Sequence, residues 1–407
     1  MGFAYTGVKI TLLVLLSIFF APGLPPHYEF VNFSLEPPLD LTGPLAPNSI
    51  LDNAKAIPLD SPIAGPESVA IRGDEVFTGL LDGSLVKINN GKVTKITTLG
   101  KECDEEAVVP CGRIAGVRFD PKGKLIVADA VNGIYRIDVD TGKVEKLVGM
   151  DAPIEGVLPR FPDDIDIDQN GNIYFSDAST IAGVDQLVLE AFAGPTGRLV
   201  KYNTKTKEST VLLSKLHFPN GVQLSHDQQS VLVTETMRAR VMRYYIQGKN
   251  QGQADIFVDN LPGLPDNIRP NGRGGYFIVL ASPRLPSEFS ALDLAGNWPL
   301  TRRFIVRLHH FLVKTLEEVE KLLPNIVFKE WIAWIKGFGI LGDLEKTPFK
   351  TIIVETDKDG KIIGSLQNEK GPITRLSEIS VGKEWTYFGS PTLKQLYRIK
   401  TSDITKK

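Results

Sequence analysis

The 407-residue sequence predicts an all-β chain folded as a six-bladed β-propeller, and three observations carry that reading. Four stretches share one shape: Gly65-Pro66-Glu67-Ser68-Val69, Phe161-Pro162-Asp163-Asp164-Ile165, Phe218-Pro219-Asn220-Gly221-Val222 and Leu264-Pro265-Asp266-Asn267-Ile268. Each sets a proline before an oxygen-bearing side chain and a β-branched residue two places later, as at the start of a strand. A second frame recurs downstream, since Asp163 leads to Asp168, Gly171 and Asp177, while Asp120, Gly123 and Asp129 repeat that spacing and point back to Ala115. Aligned, the frames make Glu67, Ala115, Asp163, Asn220, Asp266 and Ser377 equivalent, at steps of 48, 48, 57, 46 and 111 residues.

The amino terminus comes first in the chain. Residues 8–24 are nearly all apolar, with Lys9 on the leading side. The run is short for a full span, so a cleaved signal peptide and an uncleaved anchor both fit. Pro22 directly after Ala21 disfavours cleavage there, and the reading adopted is a signal anchor over 1–24 with the bulk of the chain outside the cytosol. That places the chain as a single-pass type II membrane protein of the ER lumen or cell surface, with a secreted form as the alternative. Met1-Gly2 with Thr6 also fits a myristoylation start, but insertion at the ER makes that match accidental. Residues 25–53, rich in proline and without periodicity, read as a stem, and Asn32-Phe33-Ser34 within it is a glycosylation sequon.

The propeller then occupies 54–402. A short strand near Ala54-Lys55-Ala56 would supply the outer strand of the last blade and close the ring. Asp82-Gly83 and Asn90-Gly91 mark hairpins in blade one, and blade two shows four strands in succession from Gly116 to Leu147. Blade three inserts residues 179–196 between its second and third strands. Blade five breaks after Leu280 and resumes at Thr351, with a helical insertion over 282–348 that contains a basic, amphipathic run and an aromatic one. Antiparallel strands bring both insertions out on the face where first strands begin.

Composition narrows the function. A hydrophobic fraction of 42% suits a full core, and a net charge of −2 with no basic stripe argues against nucleic-acid binding. No Gly-x-Ser-x-Gly elbow, phosphate loop or zinc spacing is present. Cys103 and Cys111, close together in a charged segment, read as a disulfide in an oxidising compartment; half a metal site is the alternative, without a companion Cys or His nearby.

First strands line a propeller's channel, so the equivalent positions converge on the axis. Glu67, Asp163, Asn220 and Asp266 bring three carboxylates and one amide into a small space, where like charges repel unless a proton or a cation intervenes. An all-oxygen donor set of irregular geometry favours Ca²⁺. Turn preference alone would account for Asp and Asn at blade junctions, but not for Glu67 or the shared register.

At these residues, and at Cys111-Gly112-Arg113 and Asp266-Asn267-Ile268-Arg269-Pro270, the chain resembles the strictosidine synthase-like branch of six-bladed propellers over about residues 35–400. The resemblance implies type II membrane anchoring. Through the wider superfamily of paraoxonases and lactonases it implies a Ca²⁺ held by Glu67, Asp163, Asn220, Asp266 and Asn267, with Asp164 in contact or just behind. Paraoxonases carry a histidine near the start of blade two where this chain has Ala115, and the five histidines here form no dyad. Strictosidine synthases use a glutamate on the first strand of blade six. The frame puts Ser377 there and Glu378 one residue off, on the opposite face by strand alternation.

Two functions follow as expectations. One is a Ca²⁺-dependent hydrolase of a small-molecule aryl ester or lactone, with Asp164 or a metal-bound hydroxide as base. The other is a membrane-anchored recognition protein whose Ca²⁺ is structural.

Overall fold

The computed structural model describes residues 2–20, 28, 30–100, 111–288, 290–336 and 350–405. The chain divides into two compact units. The larger, Glu36–Val184, Thr196–Phe289 and Thr347–Lys407, is the propeller. It holds six four-stranded antiparallel sheets, and in each the strands follow chain order from the first outward, with one exception. In blade six, Glu378–Val381, Trp385–Gly389 and Tyr397–Lys400 are completed by Lys55–Ala56 from the start of the propeller. Lys55 lies opposite Arg398 and Ala56 opposite Tyr397, so the two ends of the chain close one sheet and the ring as expected.

The first strands of adjacent blades touch all the way round: Val69–Arg72, Ile114–Phe119, Pro162–Ile167, Pro219–Leu224, Gly263–Pro270, Glu378–Val381 and back to Val69–Arg72. They therefore form the innermost layer. Second strands such as Leu125–Asp129, Ile173–Asp177 and Ser230–Glu235 are buried at every residue, because both faces pack against neighbouring blades. The Asn-Gly hairpin of blade one behaves as its residues require. Asn90 and Gly91 sit at φ 50° and 82°, the positive pair that matches the twist of the flanking strands.

Residues 36–53, within the expected stem, pack on the propeller. From Glu36 the chain belongs to the propeller, with Leu45 and Leu51 buried in core clusters shared with blades five and six. Gln367 donates from Nε2 to the Leu45 carbonyl at 2.8 Å, and the Gln367 amide donates to Asn48 Oδ1 at 2.9 Å. Two isolated leucines in a proline-rich stretch carry no periodicity, which is why the segment reads as loose from sequence.

The smaller unit gathers Met1–Leu35, Asp185–Pro195 and Ser290–Lys346. Its helices are α1 (Gly2–Phe20), α2 (Leu187–Phe192), α3 (Ala291–Gly296), α4 (Pro299–Leu322) and α5 (Ile326–Lys336), while a short α6 (Thr401–Thr405) ends the propeller. Arg302 of α4, wholly buried, donates to the carbonyls of Phe192, Ala193 and Val31 and lies over the Phe33 ring. Among the described residues, no helix is long and apolar enough to cross a membrane.

Candidate functional site

The sequence frame marks a β-bulge. In blade three Pro162 pairs with Asp177 and Ile165 with Phe175, so Asp163 and Asp164 together oppose Ser176. Blade four sets Asn220 and Gly221 against Thr234, and blade five sets Asp266 and Asn267 against Val279. A bulge of two residues against one breaks the alternation of faces, and both members of each pair reach the axial side. Hydroxyls opposite the bulges fix the next blade: Ser176 Oγ donates to the Asn220 carbonyl at 2.5 Å, and Thr234 Oγ1 to that of Asp266 at 2.7 Å. Gly221 is required for the fit, since a Cβ there would lie 2.6 Å from Asn267 Cα.

Two rings result. The first contains the expected Glu67, Asp163, Asn220 and Asp266, each between 5% and 8% exposed, and so reachable but almost dry. Burial and the charges of Glu67 and Asp164 push Asp163 well above the ordinary carboxylate range. Burial, Asp163 and Glu67 do the same to Asp266. Glu67, Asp163 and Asp266 thus act on one another through charge. No hydrogen bond from a described residue reaches the carboxylates of Asp163 or Asp266, and Asn220 Oδ1 is buried without a partner among the described residues. Glu67 differs, because Arg113 donates to its Oε2 from Nη2 at 2.9 Å and from Nε at 3.1 Å. Burial still raises Glu67, with the Arg113 charge opposing.

In the second ring the carboxylates are paired with arginine. Asp164, fully buried, accepts both arms of the Arg269 guanidinium, at 2.7 and 2.9 Å, and the Val222 amide at 2.8 Å. Burial raises its carboxyl to about 8 and the Arg118 charge opposes. Both oxygens of Asp164 are thus engaged within the channel wall and the side chain has no exposure. Asn267 Nδ2 stands 3.4 Å from Glu378 Oε2, leaving Asn267 Oδ1 buried and without a partner among the described residues.

Glu378 faces the axis, contrary to the alternation argument. Its Oε2 accepts from Arg269 Nη2 at 2.6 Å and Ser68 Oγ at 3.0 Å, which joins blades six, five and one. Burial pushes it up to about 7, with the Arg118 charge opposing. The pair Ser377-Glu378 occupies the same two positions as Asp163-Asp164, so a frame extended by one residue would have found it. Arg118 and Arg269, each three residues beyond a ring position, were legible in the same way. Ala115 adds no donor. His217 is largely buried, and its backbone amide donates to Glu235 Oε1 at 2.8 Å. Cys103 lies outside the described residues, and Asn32 is exposed.

Among the described residues no group of three or more His, Cys, Asp or Glu is arranged to hold a metal ion by itself. The donor chemistry nevertheless fits a hard cation once amide oxygens are counted. Two carboxylates without donors and two orphaned buried amide oxygens are acceptors in need of positive charge.

Comparison with known proteins agrees with this architecture. Residues 163–249 match the family model described as strictosidine synthase, and residues 43–88 match strictosidine synthase-like, N-terminal. Adipocyte plasma membrane-associated protein Hemomucin of Drosophila melanogaster is 32% identical over 402 residues, covering 96% of this chain and 68% of that one. The chain belongs to the adipocyte plasma membrane-associated protein and hemomucin group of the strictosidine synthase-like family. The Homo sapiens adipocyte plasma membrane-associated protein is 42% identical over 296 residues, 71% of this chain and 69% of its own. Among solved structures, a gluconolactonase from Xanthomonas campestris superposes with a TM-score of 0.53 at 14% identity, covering 93% of this chain and 99% of its own. A calcium-binding protein, regucalcin, from Agrobacterium tumefaciens does so at 0.50 and 13%, covering 84% and 92%. At such identities the likeness is one of fold.

Proposed function

We propose that this strictosidine synthase-like protein is a membrane-anchored, Ca²⁺-dependent hydrolase of aryl esters or lactones. The observation that carries the reading is the oxygen set of the first ring, in which Asn220 Oδ1 is buried without a partner among the described residues beside the raised carboxyls of Asp163 and Asp266. Glu67, Asp163, Asn220 and Asp266 would hold the ion, with Asn267 Oδ1 behind them. Bound there, the ion would polarise the carbonyl of an ester. Burial and the neighbouring carboxylates hold Asp163 and Asp266 well above the usual range, so the first ring favours an added positive charge, whether a proton or the ion. Arg113 pairs with Glu67 and presents a partly exposed guanidinium beside the ring, suited to an acyl or carboxylate oxygen. The gluconolactonase and calcium-binding names of the fold relatives are consistent with this chemistry.

A panel of aryl esters and lactones, assayed with calcium and with chelator, tests the proposal. Turnover that chelator removes and calcium restores is expected, with Asn220→Ala and Asp266→Ala inactive while folded. The engagement of Asp164 favours a second reading, a recognition protein with a structural ion. Calcium-dependent melting without turnover on any substrate would select that one.

Residues 1–24 serve as the anchor in this reading, in keeping with relatives named as plasma membrane-associated. Carbonate extraction should leave the intact chain in the membrane pellet; a shortened soluble product would refute the anchor.

A further inference from the structure

The smaller unit exposes apolar surface that its own packing does not use. At the turn joining α4 to α5, Leu322 and Leu323 are 80% and 65% exposed, and Ile326 53%. Val327, Trp331 and Trp334 continue this surface along α5 at 44%, 55% and 45% exposure. Their i, i+4, i+7 spacing puts these three on one helical face. Ile332, buried, marks the opposite face that packs toward α4, where His309 Nε2 lies 2.9 Å from the Ile335 carbonyl. A solvent-directed stripe with two tryptophans is not a by-product of packing, and contiguous exposed patches of this kind mark binding surfaces.

We infer that the α4–α5 hairpin docks on the surface of an anionic phospholipid bilayer, with α5 lying in the interface. Charge supports that occupant. With the buried Arg302 and Arg307 set aside, residues 299–336 present five Lys or Arg against four Glu, a small positive excess in a chain whose net charge is −2. Residue type agrees, because tryptophan favours the boundary where one edge is apolar and the other wet. Length decides between lying and crossing. Eleven residues of α5 reach roughly 16 Å as a helix, about half a hydrocarbon core of roughly 30 Å. The surface is also continuous with a second apolar element. In the same compact unit α1 packs on α4, with Phe19 and Phe304 ring centroids 5.6 Å apart and Arg307 Nη1 donating to the Ile18 carbonyl at 3.3 Å. There α1 leaves Leu12, Leu13, Leu16 and Phe20 at least half exposed. The hairpin therefore adds a second lipid contact beside the anchor and extends that reading without depending on it.

The chain has four tryptophans, two of them on this face. The full chain carrying Trp298→Phe and Trp385→Phe, reconstituted in phosphatidylcholine–phosphatidylserine vesicles, makes Trp331 and Trp334 the only indole reporters. Brominated phosphatidylcholine should quench their emission at least about twofold, and aqueous iodide should quench it little. Adding Val327→Glu should reverse that pattern, with blade melting unchanged. Quenching by iodide instead, in protein that remains vesicle-bound, would overturn the inference and leave the anchor standing. Protection from both quenchers would overturn it too, as the mark of a second copy or another part of this chain covering the stripe. Failure to associate with vesicles at all would refute the hairpin and the anchor together.

Discussion

Replacing Arg269 by methionine tests whether the second ring is a structural ion-pair layer. The side chain is 4% exposed and bridges two carboxylates, Asp164 at 2.7 Å and Glu378 at 2.6 Å. Methionine keeps most of the volume and removes the charge, which leaves both carboxylates buried without their main partner. Breaking a buried pair in this way costs about 3–5 kcal/mol. Arg118 Nη2 stays within 3.8 Å of Asp164 and 3.7 Å of Glu378 and offsets part of the loss, so about 3 kcal/mol is expected. Urea unfolding of wild type, Arg269→Met, Asp164→Asn and the double variant measures it. The double variant should be less destabilised than the two singles added together, by at least about 1 kcal/mol of coupling. Folded Asp164→Asn should also keep any ester turnover, since its carboxylate is not placed to reach a substrate. A loss below about 1 kcal/mol for Arg269→Met, or additive singles, would refute the assignment.

The first ring makes the opposite prediction, that it is stabilised from outside. Calcium at a hundredfold excess over its Kd should add about 2.7 kcal/mol, seen as a higher Tm, and Asn220→Ala or Asp266→Ala should shrink that increment. Asp163 and Asp266 are raised from an ordinary value of 3.8, so above that pH the folded chain binds more protons than the unfolded one. Calcium-free stability should therefore fall as pH rises from there through the raised folded values, while the calcium increment grows over that same window as the ion displaces those protons. A calcium increment independent of pH across that window would show that the ion sits elsewhere. Non-reducing peptide mapping should recover Cys103 linked to Cys111, and full alkylation of both thiols in secreted protein would exclude the bridge.

The blade count, the closing strand and the ring positions were legible because a propeller repeats its instructions. A proline that sets the strand start and a β-branched residue two places on recur in four blades, and each repeat checks the others. Alternation counted from Ser377 could not place Glu378, because the strand begins only at Glu378. Two residues against one in blades three, four and five are hidden from a period-2 pattern, though Gly221, where a Cβ would meet the Asn267 backbone, is the trace they leave. The packing of residues 36–53 was illegible for a different reason. Leu45 and Leu51 act singly and gain their partners from blades five and six, some three hundred residues away in the chain.

The bulge also explains why one site is left short of charge while its neighbour is not. The bulged strands of blades three and five each deliver two side chains, that of blade four delivers Asn220 alone beside Gly221, and the two rings that result take up different partners. In the second, Asp164 and Glu378 meet Arg118 and Arg269, which stand on adjoining first strands three residues beyond their own ring positions. Arginine at that depth is neutralised by the wall and leaves nothing for a ligand. In the first ring three carboxylates face a single guanidinium, Arg113, and that arginine comes from the residue before its strand and reaches only Glu67. Among the described residues Asp163 and Asp266 have no ion pair, and the Asn220 amide oxygen beside them has no donor. A divalent ion matches the two charges that remain, and an oxygen-only cage excludes the softer metals. The same wall that saturates Asp164 thus directs any bound cation to the first ring, where between 5% and 8% exposure leaves it within reach of a substrate.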